Sequence, residues 1–128
     1  MTLDGCSSDL GLARIRLAKI DVEGYEKHVL EGADRLLTEH AVDAIVFEIN
    51  KRMLERQGAS ARSVADLLRS YGYRLEAVPR RDRRRHLPEK LLADPPPELN
   101  ARMQGTLRAG LAERSLLFNV LALSPTCR

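Results

Sequence analysis

Within 33 residues, from Leu17 to Ile49, the hydrophobic period of this chain changes twice. Arg16-Leu-Ala-Lys-Ile-Asp-Val22 sets aliphatic residues between charged ones, the two-residue repeat of a strand. Gly24 follows and permits a tight turn. From Tyr25 to about Glu39, Tyr25, Val29, Leu30, Ala33, Leu36 and Leu37 recur at helical offsets and form one apolar stripe. The opposite face of that helix carries Glu26, Lys27, Glu31, Asp34 and Arg35. Gly32 within it costs about 1 kcal/mol relative to alanine and reads as a point of close packing. Ala44-Ile-Val-Phe-Glu-Ile49 is then a nearly unbroken apolar run, as in a strand buried on both faces. Strand, helix and strand of this length make a βαβ unit, whose strands are parallel and whose crossover is right-handed in nearly all cases.

The rest of the chain is less sharply patterned. Ser60 and Ser63 announce a second helix, with Ser63-Val-Ala-Asp66 fitting a capping box. Val64, Leu67, Leu68 and Tyr71 form its apolar stripe, and Gly72 suits the left-handed position just past its end. Tyr73 to Val78 reads as a strand stopped by Pro79, and Ser115 to Leu123 as a last strand. Between them, residues 79–114 form a connection of variable character, long for a compact domain. It contains Asp94-Pro-Pro-Pro97 and a four-residue repeat, Leu99, Met103, Leu107 and Leu111, that predicts a loose helix.

Composition narrows the function classes. At 128 residues the chain is one domain, 1–128. It is 44% apolar and 30% charged, and no run approaches the roughly 18 apolar residues of a membrane span. The N-terminus shows no signal-peptide pattern, so the expected compartment is the cytoplasm, with Cys6 and Cys127 as reduced thiols. His28, His40 and His86 share no ligand spacing, so no metal site is expected. The net charge of +3 is local: Arg80 to His86 holds five arginines and one aspartate. Without interleaved aromatics this run reads as a solvated loop, and nucleic acid is not an expected partner. A polyanion binder working through Arg80 to Arg85 is the alternative.

Chemistry concentrates in the βαβ unit. Lys19, Asp21 and Glu23 project to one side of the first strand, Ala18, Ile20 and Val22 to the other. Glu48, the only charge of the second strand, lies near its carboxyl end and is followed by Asn50. In a parallel pair, Asp21 and Glu48 meet at one edge of the sheet, where open α/β sheets bind their ligands. Two acids there suit a general base, polar anchors or cation ligands.

Lys19-Ile-Asp-Val-Glu-Gly24, then Tyr25-Glu26, Val29-Leu30, Gly32-Ala33 and Leu36-Leu37, resemble the K-I-D-x-E-G-x-E signature of FkbM-type methyltransferases. Thr2-Leu3-Asp4 matches the T-L-D that precedes it, and Ile45-Val-Phe-Glu48 the strand that follows. Ser63 to Tyr73 and Asn119 to Leu123 are similar to a later helix and the closing strand. The resemblance implies an α/β fold, the C-terminal half of a Rossmann-like methyltransferase sheet. Its strands would be parallel, with a final antiparallel strand inserted between the two before it. It implies S-adenosylmethionine as cofactor and a small hydroxylated metabolite or sugar as methyl acceptor. Asp21 would sit by the reacting centre and Glu48 at the end of the next strand, as catalytic carboxylates. Lys19, Glu23 and Asn50 would support them or bind substrate.

The family's glycine-rich turn, D-x-G-x-N-x-G, has no counterpart among the eight glycines. The expectation is therefore a truncated gene product, a misread frame or one part of a split enzyme, with the isolated chain inactive. The missing N-terminal half, as a separate chain, or self-association would cover the open edge of the first strand. A non-catalytic module pairing through that edge is the remaining alternative.

Overall fold

The structure, a computed structural model, describes residues 1–78, 85–87, 89–93 and 117–127. Strand β1 (Ile15–Ile20) and strand β2 (Val42–Asn50) run parallel, in register from Ile15 opposite Val42 to Ile20 opposite Phe47. The crossover between them holds helices α2 (Glu26–Glu31) and α3 (Asp34–Thr38), which is the expected βαβ unit. Before it stands α1 (Leu3–Asp9), which the period analysis did not foresee. After β2 come α4 (Lys51–Arg56), also unforeseen, α5 (Ala61–Ser70) and β3 (Arg74–Ala77). A two-residue strand β4 (Arg85–His86), a short α6 (Glu89–Leu92) and β5 (Leu117–Leu123) complete the described elements.

The sheet has five strands in the order β1-β2-β5-β3-β4. β5, last in the chain, lies between β2 and β3 and is antiparallel to both, so the expectation of an inserted antiparallel strand holds. β1 is an edge strand, paired among the described residues only with β2.

Strand alternation sorts the side chains into two faces. On one, Ile20, Ile45, Phe47, Ile49, Leu75, Val120 and Ala122 are buried. They pack with Leu30, Leu36, Leu37, Leu54, Val64 and Leu68 of the helices, and this is the core. On the other face Leu17 is 61% exposed, Asn119 is exposed, and Ala44, Val46, Glu48 and Leu121 are half-buried. β2 is therefore covered by described helices on one side only. Its apolar run does not by itself reveal this, because Ala44 and Val46 are apolar on the less covered face.

The single helix expected from Tyr25 to Glu39 is two helices, and α1 is the reason. In a continuous helix the Leu36 N–H would donate to the Gly32 carbonyl. Here that carbonyl accepts the Asp4 N–H at 2.9 Å, while the Asp4 carboxylate accepts the Leu36 and Arg35 N–H groups at 3.1 and 2.8 Å. Asp4 thus replaces the helix's own partners and caps α3 from outside. Gly32 is the close approach its type suggests: a Cβ there would lie 3.3 Å from Thr2 Cβ.

Other boundaries shift for local reasons. The N-cap of α5 is Ser60 rather than Ser63, because the two serines cap each other's backbone N–H at 2.9 and 3.0 Å. Gly72 does take the left-handed conformation, φ +82°, past the end of α5. Two short elements that the sequence pattern does not announce, β4 and α6, lie within the connection between β3 and β5. Residues 80–84 of the arginine run, the Asp94–Pro97 segment and the Leu99–Leu111 stripe lie outside the described residues.

Candidate functional site

The carboxyl ends of β1 and β2 bring Asp21 and Glu48 to the same edge of the sheet. The last paired position is Ile20 with Phe47, and one step further in that register joins Asp21 to Glu48. Glu48 stands opposite Asn119 of β5, on the face away from the helical core. Asp21 is the first residue after β1, its side chain 51% exposed, and Lys19 Nζ lies 3.3 Å from its Oδ2. Glu48 is half-buried and makes no hydrogen bond or ion pair among the described residues. Two carboxylates are therefore available at this edge, one beside a lysine and one beside an asparagine.

The supporting residues divide. Lys19 lies beside Asp21, both side chains exposed. Asn50 is committed elsewhere: its side-chain oxygen accepts the Met53 N–H at 3.4 Å and caps α4. Glu23 is not on the strand face with Lys19, because β1 has already ended. It sits in a turn with φ +52°, a conformation uncommon outside glycine, asparagine and aspartate, and its side chain is exposed.

Gly24 closes that turn with φ +100°. A Cβ at this position would come within 2.5 Å of the Met53 carbonyl carbon, so the loop after β1 rests directly on the backbone of α4. Two of its amides are already used: Gly24 N–H donates to Glu26 Oε1 at 3.1 Å, and Tyr25 N–H to the Val22 carbonyl at 3.2 Å.

These commitments decide the fit of S-adenosylmethionine. A nucleotide-like cofactor wants free backbone N–H groups around a glycine turn. At this glycine turn the Gly24 and Tyr25 N–H groups are already bonded and the backbone packs against Met53, so the turn does not offer the cofactor such a cradle. No group of three or more histidine, cysteine, aspartate or glutamate side chains among the described residues could hold a metal ion. An open apolar concavity exists elsewhere, between α1 and α2. It is lined by Thr2, Leu3, Cys6, Tyr25, His28 and Val29, and neither Asp21 nor Glu48 reaches it.

Helical period puts two residues on the wrong face: Tyr25, expected in the apolar stripe, is 49% exposed, and Glu26, expected on the solvent face, is 1% exposed. The signal that could have found Glu26 is its place in the Glu-Gly-x-Glu run, where a second acid follows a turn glycine at hydrogen-bonding distance in sequence.

A parallel strand pair with two acids at its carboxyl edge, a turn into a crossover helix and an inserted antiparallel last strand define a partial Rossmann-like α/β domain. The family model described as the methyltransferase FkbM domain matches residues 1–75, more than half of the chain, and the protein belongs to that family. The match takes in α1, the whole βαβ unit and the start of β3. No curated protein and no solved structure matches the chain. No helix among the described residues is long and apolar enough to cross a membrane.

Proposed function

We propose that this chain forms the acceptor side of an S-adenosylmethionine-dependent O-methyltransferase and corresponds to the C-terminal half of the family's domain. The observation that carries the reading is the pairing of Asp21 and Glu48 at the carboxyl edge of a parallel strand pair. In this reading Asp21 orients the acceptor hydroxyl or accepts its proton, Lys19 holds the Asp21 carboxylate in place, and Glu48 anchors a second polar group. Such a set suits a small hydroxylated metabolite or a sugar. In this reading the Val22–Tyr25 turn offers the cofactor no cradle, and the chain alone binds it weakly and is inactive. A polypeptide carrying a D-x-G-x-N-x-G turn completes the site and covers the β1 edge.

The test supplies that polypeptide by fusion or co-expression. Label transfer from methyl-tritiated cofactor to a panel of hydroxylated acceptors is then measured for wild type and Asp21→Asn. One well-placed acid–base group is worth about 10²–10⁴ in rate, so Asp21→Asn is expected to lower transfer at least about a hundredfold with the fold intact by circular dichroism. Unchanged transfer in a folded Asp21→Asn protein removes Asp21 from the chemistry.

A further inference from the structure

Glu26, the first residue of α2, is a buried carboxylate with a single described hydrogen bond. Its Oε1 accepts the Gly24 N–H at 3.1 Å, and its Oε2 is buried with no hydrogen-bond partner among the described residues. Keeping one carboxylate oxygen unmet away from water is costly, and an apolar side chain of similar size would fill the space without that cost. The only described interaction that offsets it is the bond to the Gly24 amide.

That amide lies at the centre of the turn from Val22 to Tyr25. The turn is closed by the Tyr25 N–H on the Val22 carbonyl at 3.2 Å, with φ +52° at Glu23 and +100° at Gly24. Positive φ at both central positions is the signature of a type I′ turn, in which a glutamate is a poor first residue. The strained form is held by two clamps: the Met53 backbone under Gly24, and the Glu26 carboxylate on its N–H. Asp21 directly precedes this turn. The direction in which the chain leaves β1, and with it the place of the Asp21 carboxylate relative to Glu48, follows from the turn's conformation.

We infer that Glu26 is a positioning residue: through the Gly24 amide it fixes the Val22–Tyr25 turn and so holds Asp21 at the carboxyl edge facing Glu48. This rests on the functional reading above and names the group that organises its site. A purely structural role would spread the loss on substitution over β1 and α2, whereas a positioning role confines it to the turn and Asp21.

The experiment compares Glu26→Leu and Glu26→Gln with wild type, using amide hydrogen exchange and backbone chemical shifts of the protein alone. Glu26→Leu is expected to speed exchange at Gly24 at least about tenfold, in line with loss of a hydrogen bond to a charged group. Shifts should move at residues 21–25, while protection in β1 and β2 and the thermal midpoint are retained. Glu26→Gln keeps an oxygen for Gly24 and should stay within about threefold of wild type. Unchanged exchange at Gly24, or Asp21 resonances that do not move when Gly24 is released, overturns the inference. So does a uniform loss of protection through β1 and α2 in Glu26→Leu accompanied by the same loss in Glu26→Gln, which would mark a purely structural role. These readouts need no methyl transfer. A reconstituted wild type that transfers no label fails the functional reading separately, whatever Gly24 does.

Discussion

The two ends of the β1–β2 pair treat their carboxylates in opposite ways. At the amino end Asp43 is buried and saturated: Arg14 Nε donates to its Oδ1 at 2.8 Å and Arg16 Nη1 to its Oδ2 at 3.1 Å. Its backbone carbonyl accepts the Ser124 N–H at 2.9 Å, which joins β5 to the same cluster. The Tyr73 hydroxyl donates to the Val42 carbonyl at 2.8 Å, and burial pushes its pKa up to about 12. At the carboxyl end Asp21 is half-exposed beside one exposed lysine, and Glu48 has no described partner. The same residue type thus knits strands together at one end and is left available at the other. Fully paired groups are spent on cohesion, and acids with one partner or none retain hydrogen-bonding capacity for a ligand.

The sharpest way to break this contrast is to remove a charge at each end. On the proposed function, Asp21→Asn should lower methyl transfer by the fused or co-expressed protein at least about a hundredfold and leave the thermal midpoint where it was. Asp43→Asn should do the reverse: it lowers the midpoint, because two guanidinium groups lose their counter-charge, and preserves transfer per folded molecule. A stability loss in Asp21→Asn matching that in Asp43→Asn would erase the distinction between the ends.

A smaller effect appears with acid. The hydrogen bond from Arg14 holds the Asp43 carboxyl below the ordinary aspartate range, against the opposing effect of desolvation. A carboxyl depressed in the folded state adds stability that is complete above the unfolded-state value, near 3.9. That stability is lost as pH falls through the lower folded value. Urea unfolding followed from neutral pH downward should show this loss in wild type and a shallower one in Asp43→Asn. Equal acid profiles would show that the pair contributes nothing to cohesion.

The smallest effect lies at high pH. Tyr73 should ionise near 12, seen as ultraviolet phenolate absorbance. A phenol raised in the folded state contributes stability present below the ordinary value, near 10, and lost as pH climbs toward 12. Ionisation of Tyr73 near 10 would mean the amino end is as wet as the carboxyl end.

Much of this was legible in the residues. The βαβ unit followed from periods alone, because a strand and a helix bury their apolar faces at different intervals. The edge position of β1 and the inserted antiparallel β5 followed from the family resemblance. Period analysis failed where a distant residue intervened. Gly32 was noticed as a weak point in a helix, but the break there needed Asp4, 28 positions earlier, to take over the helix's hydrogen bonds. Glu26 looked like a surface acid because helical spacing says nothing of a carboxylate that turns back to the loop before its own helix. Asn50 resembled a site residue until α4 began immediately after it and claimed its side chain.

What the order of residues determined by itself is local: where the chain extends, where it coils, and that Asp21 and Glu48 close two neighbouring strands. These depend on intervals of two to four residues, over which side-chain direction is set by backbone geometry. Which acids are free was decided only by the tertiary structure. Asp43 lies just before the expected strand Ala44–Ile49 but inside β2, so Glu48 is not that strand's only charge; the odd spacing puts the two acids on opposite faces, yet does not say which of them finds partners. Arg14 and Arg16 reach one of them because β1 lies parallel to β2 in a single register, and a two-residue side-chain period makes every contact across the pair depend on that register.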